Sequence, residues 1–97
     1  NRKPNLPPGV TEWDVHVKTL QLMDKSKCTC CQKNRAEVLD YRYFDDTTRK
    51  YVVCRECQGR DDEDFLEVYD RTWKRLEKRA LAILRARARR QQMRAAR

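Results

Sequence analysis

Two cysteine pairs at matching spacing, Cys28 with Cys31 and Cys54 with Cys57, constrain this chain more than any other feature. A C-x2-C pair on a tight turn can bring both sulfurs to about 2.3 Å from one tetrahedral ion. Two such pairs separated by about twenty residues have the pattern of a four-thiolate structural site. The expected ligands are therefore Cys28, Cys31, Cys54 and Cys57, holding one structural Zn²⁺. Iron could occupy the same thiolates, although glycines and an aromatic shell usual around such iron are missing. Two disulfides in a secreted domain are the competing reading. The odd count of five cysteines, with no visible signal peptide, speaks against it and for a reducing compartment, cytoplasm or organelle matrix. The fifth, Cys30, could replace Cys31 through a less usual C-x-C bite. It is expected to be a free thiol beside the site.

Ninety-seven residues make one domain at most, and charged residues equal hydrophobic ones at 39% each. The core must be small, so the metal is expected to supply a large share of the folding free energy. No apolar run approaches the ~18 residues of a membrane span, and no membrane partner is expected. The net charge of +8 is uneven. Residues 1–70 carry twelve Lys/Arg against fourteen Asp/Glu, whereas residues 71–97 carry eleven Lys/Arg against the single acid Glu77. A block so one-sided repels itself and calls for a polyanion, most often nucleic acid.

Three segments follow. Residues 1–10, rich in proline, read as an extended arm in which Arg2 and Lys3 can touch a partner. Residues 11–60 form the zinc-binding module with a preceding helix and a hairpin. Residues 61–97 form a long helix with a basic tail. In the first of these helices Thr11 and Asp14 make a capping pattern, and Trp13, Val17 and Leu20 share a helical face. Alternation of Trp13, Val15 and Val17 also fits a strand; helix is preferred. Trp13 and the leucines are expected to pack on the zinc module, and His16, the only histidine, to lie exposed or partly packed. Leu39, Tyr41 and Tyr43 alternate on one strand face, residues 45–48 turn, and Arg49 to Val53 return. Gly59 is an expected break before the long helix. That helix has Asp61 to Asp64 at its start and arginines at its end, both matched to the helix dipole. Its apolar seam runs Leu66, Tyr69, Trp73, Leu76, Ala80 and Ile83, and is expected to fail after Leu84. Its reach would be roughly 50 Å.

The segments CTCCQKN and YVVCREC, joined by a hairpin and followed by a helix, resemble the treble-clef zinc fingers, in particular the zinc domain of the ClpX unfoldase. The resemblance covers about residues 26–75. It implies a small α+β zinc-binding domain with a treble-clef-like knuckle and β-hairpin followed by one long C-terminal α-helix. Gln32 stands where such turns commonly carry glycine. The segment from Leu39 to Cys57 is also similar to the recombination endonuclease VII group of nucleases. There an Asp-His-Asp-His stretch supplies a general base and holds a divalent metal. The matching positions here are Asp40, Tyr41, Arg42 and Tyr43. Tyrosine, with an ordinary pKa near 10, is a poor base at neutral pH. The resemblance thus implies an inactivated nuclease-like module; without it, the tyrosines are ordinary strand aromatics.

The functional expectation is a non-catalytic, zinc-stabilised nucleic-acid-binding protein, an RNA-binding structural component of a ribosome-like ribonucleoprotein with protein neighbours. The candidate contacts are Lys74, Arg75, Lys78, Arg79, Arg85, Arg87, Arg89, Arg90, Arg94 and Arg97. They are expected on all sides of the helix, and arginine suits fork-like contacts to phosphate. The alternative is a protein-interaction adaptor or transcription regulator using the zinc head and the Leu66–Ile83 seam. No phosphate loop or Ser-His-Asp set is present, and a four-cysteine site leaves no position for water, so no enzyme and no small-molecule substrate are expected. A reactive Cys30 is the one opening left for catalysis.

Overall fold

The computed structural model describes residues 6–95. Its elements in chain order are α1 (Glu12–Leu22), β1 (Val38–Phe44), β2 (Thr47–Val53), α2 (Arg55–Gln58) and α3 (Asp62–Ala95). This is a small α+β chain with one two-stranded antiparallel hairpin and a long C-terminal helix. Its contacts fall into two compact units. One joins the described part of 1–22 to the helix from Arg75 onward; the other spans Met23–Lys74. The helix preceding the cysteines therefore groups with the end of α3, not with the cysteine module as chain order suggested.

In the helical unit, α1 begins at a reciprocal cap. The Asp14 N–H donates to Thr11 Oγ1 at 3.2 Å, and the Thr11 N–H donates to Asp14 Oδ2 at 2.9 Å. Two otherwise orphaned donors are thereby satisfied, which decides the segment for helix over strand. The buried side chains of α1 are Val15 and Thr19, whose hydroxyl donates to the Val15 carbonyl at 2.7 Å. Val15 packs with Leu81 and Leu84 against Leu6 and Val10. The face expected to be buried is the outer one: Trp13 is 69% exposed and Leu20 is also exposed.

In the cysteine unit, the strands pair from Val38↔Val53 to Phe44↔Thr47. The turn is shorter than the expected 45–48, because Asp45 and Asp46 both take positive φ (48° and 61°). That two-residue mirror-image turn matches the strand twist, so β2 starts at Thr47. The inward face carries Val38, Phe44, Tyr51 and Val53 around Phe65, which is fully buried and 5.2 Å from the Tyr51 ring. The opposite face, with Leu39, Tyr41, Tyr43 and Val52, is exposed. Gly59 caps α2. Asp61 caps α3, accepting the Asp64 N–H at 2.8 Å.

The buried stripe of α3 keeps Leu76 and Ala80 of the expected seam and replaces its other members. It runs Phe65, Val68, Thr72, Leu76, Ala80, Leu81, Leu84 and Ala88, while Leu66 is 46% exposed. Apolar residues are adjacent at 65/66, 68/69, 80/81 and 83/84, so two stripes that share Leu76 and Ala80 satisfy the same periodicity. Only neighbours from elsewhere in the chain choose between them. Burial also continues past Leu84 to Ala88, small enough to fit between arginines.

Candidate metal centre

Cys28 and Cys31 lie on a turn closed by the bridge Lys27↔Arg35, with the Cys28 N–H donating to the Asn34 carbonyl at 2.8 Å. Cys54 and Cys57 lie at the end of β2 and in α2, where Cys54 is the N-cap. Two backbone bonds join the halves: Thr29 N–H to the Val52 carbonyl and Glu37 N–H to the Val53 carbonyl, both at 2.9 Å. The Sγ atoms of Cys28, Cys31, Cys54 and Cys57 thereby come within 4.8 Å of one another, all buried. Cys31 and Cys54 Sγ are 3.9 Å apart. A tetrahedron with arms near 2.3 Å has edges of about 3.8 Å, so the four sulfurs can hold a metal ion. A disulfide needs about 2.05 Å, and none of the five cysteines is in one.

The surroundings favour thiolate on some sulfurs and oppose it on others. Cys31 N–H and Cys57 N–H point at Cys28 and Cys54 Sγ (3.5 and 3.4 Å), and Asn34 Nδ2 donates to Cys54 Sγ at 3.5 Å. Burial pushes the Cys54 thiol up, but the Asn34 amide and the Cys57 donors outweigh it and bring it down to about 7. Burial raises Cys28. Burial, with the Cys54 and Cys28 sulfurs adding to it, also raises Cys57 against the pull of the Arg60 guanidinium. Four buried sulfurs cannot all ionise unless a cation replaces the protons. Asn34 and Arg60 are contributors that no cysteine-spacing argument finds, because neither belongs to the C-x2-C pattern.

Cys30 is outside this cluster. It is fully buried, donates to the Phe65 carbonyl at 3.4 Å, and burial pushes its thiol up to about 11. Its enclosure and its bond to Phe65 place it in the core around that ring.

Gln32 accounts for the missing glycine. Its φ is 55°, the left-handed conformation that a glycine would take without strain. Its side chain compensates: Oε1 accepts the Asp24 N–H at 2.8 Å, and Nε2 donates to the Asp24 and Cys28 carbonyls at 3.0 Å. Gln32→Ala, which keeps the strain and loses these bonds, is expected to cost about 1–3 kcal/mol. Gln32→Gly relieves the strain and should be milder by about 1 kcal/mol. Thermal melts at saturating metal check the order, and a glycine variant no more stable than the alanine one would contradict it.

The Asp40–Tyr43 stretch divides between the two faces. Tyr41 and Tyr43 are exposed on the outer face, and the Tyr43 hydroxyl donates to Asp46 Oδ1 at 3.1 Å. Arg42 turns inward and is only 6% exposed. Its Nε meets Asp40 at 2.8 Å, Nη1 meets Asp62 at 2.9 Å, and Nη2 donates to the Cys57 and Gln58 carbonyls at 3.2 Å. The guanidinium also lies 4.2 Å over the Phe65 ring. It ties β1, the end of α2 and the start of α3 around the second cysteine pair.

The candidate cations Lys74, Arg75, Lys78, Arg79, Arg85, Arg87, Arg89 and Arg90 are all exposed on α3. Lys74 pairs with Asp70 at 3.0 Å. The side chain of Arg94 and the whole of Arg97 lie outside the described residues, as do Arg2 and Lys3. Among the described residues, Leu76, Ala80, Leu84 and Ala88 are buried along one face of the helix, and exposed Arg87 falls on that same side, so the cations are unevenly spread around it. At 100° per residue Lys74, Arg75, Lys78, Arg79, Arg85, Arg89 and Arg90 occupy an arc roughly 160° wide on the opposite side. Arg71, exposed and absent from the expected set, falls within the same arc. Among the described residues no helix is long and apolar enough to cross a membrane. No protein-family model matches this chain, and neither a curated protein nor a solved structure does.

Proposed function

We propose that this chain is a non-catalytic RNA-binding module stabilised by one structural zinc ion and working inside a larger ribonucleoprotein. The observation that carries the RNA reading is the broad cationic arc of α3, formed by Lys74, Arg75, Lys78, Arg79, Arg85, Arg89 and Arg90 and widened by Arg71. Such a surface gains affinity by releasing counterions from phosphate. The arc is supported from behind by the buried Leu76, Ala80, Leu84 and Ala88, which hold the helix in place. Four thiolates in a closed, buried set fit structural zinc, and the scarcity of glycine in the two cysteine turns favours it over a four-thiolate iron site. The order of a cysteine turn, a hairpin, and a second pair leading into a helix supports a treble-clef reading of the module. A full complement of thiolate ligands leaves no open position for substrate, which supports a structural role. Five cysteines without a disulfide suit a reducing compartment.

One observation favours a protein partner instead: the exposed outer face of the hairpin, with Leu39, Tyr41, Tyr43 and Val52. The α3 seam favours it less, since Leu76 and Ala80 are buried by the chain itself and Leu66 alone is exposed.

Cutting the chain after Ile83 is not a clean test, because Leu84 and Ala88 are buried in the helical unit. The triple variant Arg85→Gln, Arg89→Gln, Arg90→Gln keeps the helix and removes only charge. In a salt series with a structured RNA, the log–log slope is expected to be steep for the parent chain. It should fall by about 2–3 in the variant, given 0.7–0.9 per phosphate contact. Metal content and helicity should be unchanged. A flat salt response in both chains would move the reading to the adaptor.

A further inference from the structure

Trp13 takes part in neither buried core, yet it stands where two clefts of the helical unit meet. The clefts differ in charge. One, about 520 Å³, is bordered by Glu12, His16 and Glu77. The other, about 470 Å³, lies between α1 and α3, with Leu84 and Ala88 in its lining and Lys18, Arg87, Gln21 and Gln91 as its polar groups. Its one acid, Asp14, already accepts the Thr11 N–H in the helix cap. His16 stacks on the indole (centroids 5.4 Å, 25°) and borders only the acidic cleft. The imidazole steadies the ring without closing off the basic side.

An exposed indole beside two cations and two amides, over an apolar lining, has the chemistry that receives an unpaired nucleotide. The base stacks on the ring, the phosphate meets the cations, and the amides can meet base edges. A paired base could not enter, because its face is already stacked in the helix. The cleft also adjoins the cationic arc: Arg87 and Arg90 are three residues apart and so neighbours on the helix surface. We propose that the cleft bordered by Trp13, Lys18 and Arg87 binds one unpaired nucleotide of RNA, with the base on Trp13 and the phosphate between Lys18 and Arg87. This inference rests on the RNA-binding reading, which it makes specific for unpaired over duplex RNA.

The test uses the full metal-loaded chain and two fluorescent RNAs of equal nucleotide count, a continuous duplex and a hairpin with an open loop. The parent chain is expected to prefer the looped RNA. Trp13→Ala should lose about 5- to 150-fold in affinity for the loop and abolish the preference, with the salt slope unchanged. Trp13→Phe should retain most of both. Arg87→Gln should lower the slope for the looped RNA by roughly 0.7. Unchanged loop affinity in Trp13→Ala, with a steep slope retained, overturns the nucleotide cleft and leaves the RNA reading standing. No steep slope with either RNA in the parent chain overturns the RNA reading itself. If Trp13→Ala loses helicity, Arg87→Gln decides alone, and equal slopes with and without it overturn the cleft. A poly-glutamate peptide that binds the parent chain more tightly than the looped RNA, and does so through Trp13, would assign the cleft to acidic peptides and overturn the proposal.

Discussion

Cys54→Ser is expected to release the metal and unfold the cysteine unit. Serine can still cap α2, since its hydroxyl can accept the Cys57 N–H that Cys54 Sγ accepts at 3.4 Å. What it cannot supply at neutral pH is the thiolate. Three of the six largest fully buried side chains are cysteines (Cys28, Cys30 and Cys57), so the unit has little apolar core to fall back on. Structural zinc contributes about 10–16 kcal/mol of apparent binding free energy at neutral pH. A domain's whole stability is about 5–15 kcal/mol. Loss of one ligand is therefore enough to unfold the unit, not merely to loosen it. Metal quantitation and amide exchange across β1 and β2 provide the readout. Cys30→Ser is the control: it should keep the metal, because the Cys30 thiol donates to the Phe65 carbonyl and lies outside the four-sulfur cluster. A folded, metal-free Cys54→Ser protein would remove the metal from the account of stability. Metal loss from Cys30→Ser as complete as from Cys54→Ser would redraw the ligand set. Acid should act as the mutation does, since protons and the metal compete for the same sulfurs and metal is lost as pH falls.

The second large effect is expected at Arg42. Arg42→Ala should destabilise the cysteine unit by about 3 kcal/mol, the low end for breaking a buried ion pair, since Asp40 is largely buried but Asp62 is 65% exposed. Asp40, with a side chain 15% exposed, would lose its 2.8 Å partner, and the Cys57 and Gln58 carbonyls would lose their donors. Arg42→Lys keeps the charge but not the planar fork that reaches four acceptors at once, so it should recover only part of the loss. The pair Arg42→Met with Asp40→Leu removes both charges and should be more stable than Arg42→Ala. Urea melts at saturating metal measure all three. If Arg42→Ala melts within about 0.5 kcal/mol of the parent, a range typical of surface changes, the clamp has no energetic role.

Whatever depends on spacing within a few residues was determined by the sequence itself. Two C-x2-C pairs name the four sulfurs that the fold collects, because a tight turn places residues i and i+3 together regardless of context. Thr11 and Asp14 set the start of α1 by the same local geometry, and Asp61 sets that of α3. The hairpin was legible from its alternation, to within the two residues of its turn. Tertiary structure decided everything that depends on a distant neighbour. It chose Phe65 over Leu66 and Leu84 over Ile83, adjacent residues that helical periodicity cannot separate. It buried Arg42, which gains its place from Asp62, twenty residues on. It grouped α1 with the far end of α3 and left Trp13 outside, although Trp13 belongs to the most apolar stripe of its helix. It also covered one face of α3, leaving most of its cations on the open side and Arg87 beside the buried stripe. Charge content and periodicity are properties of a segment, but burial is a property of a pair of surfaces, and only the folded chain supplies the second surface.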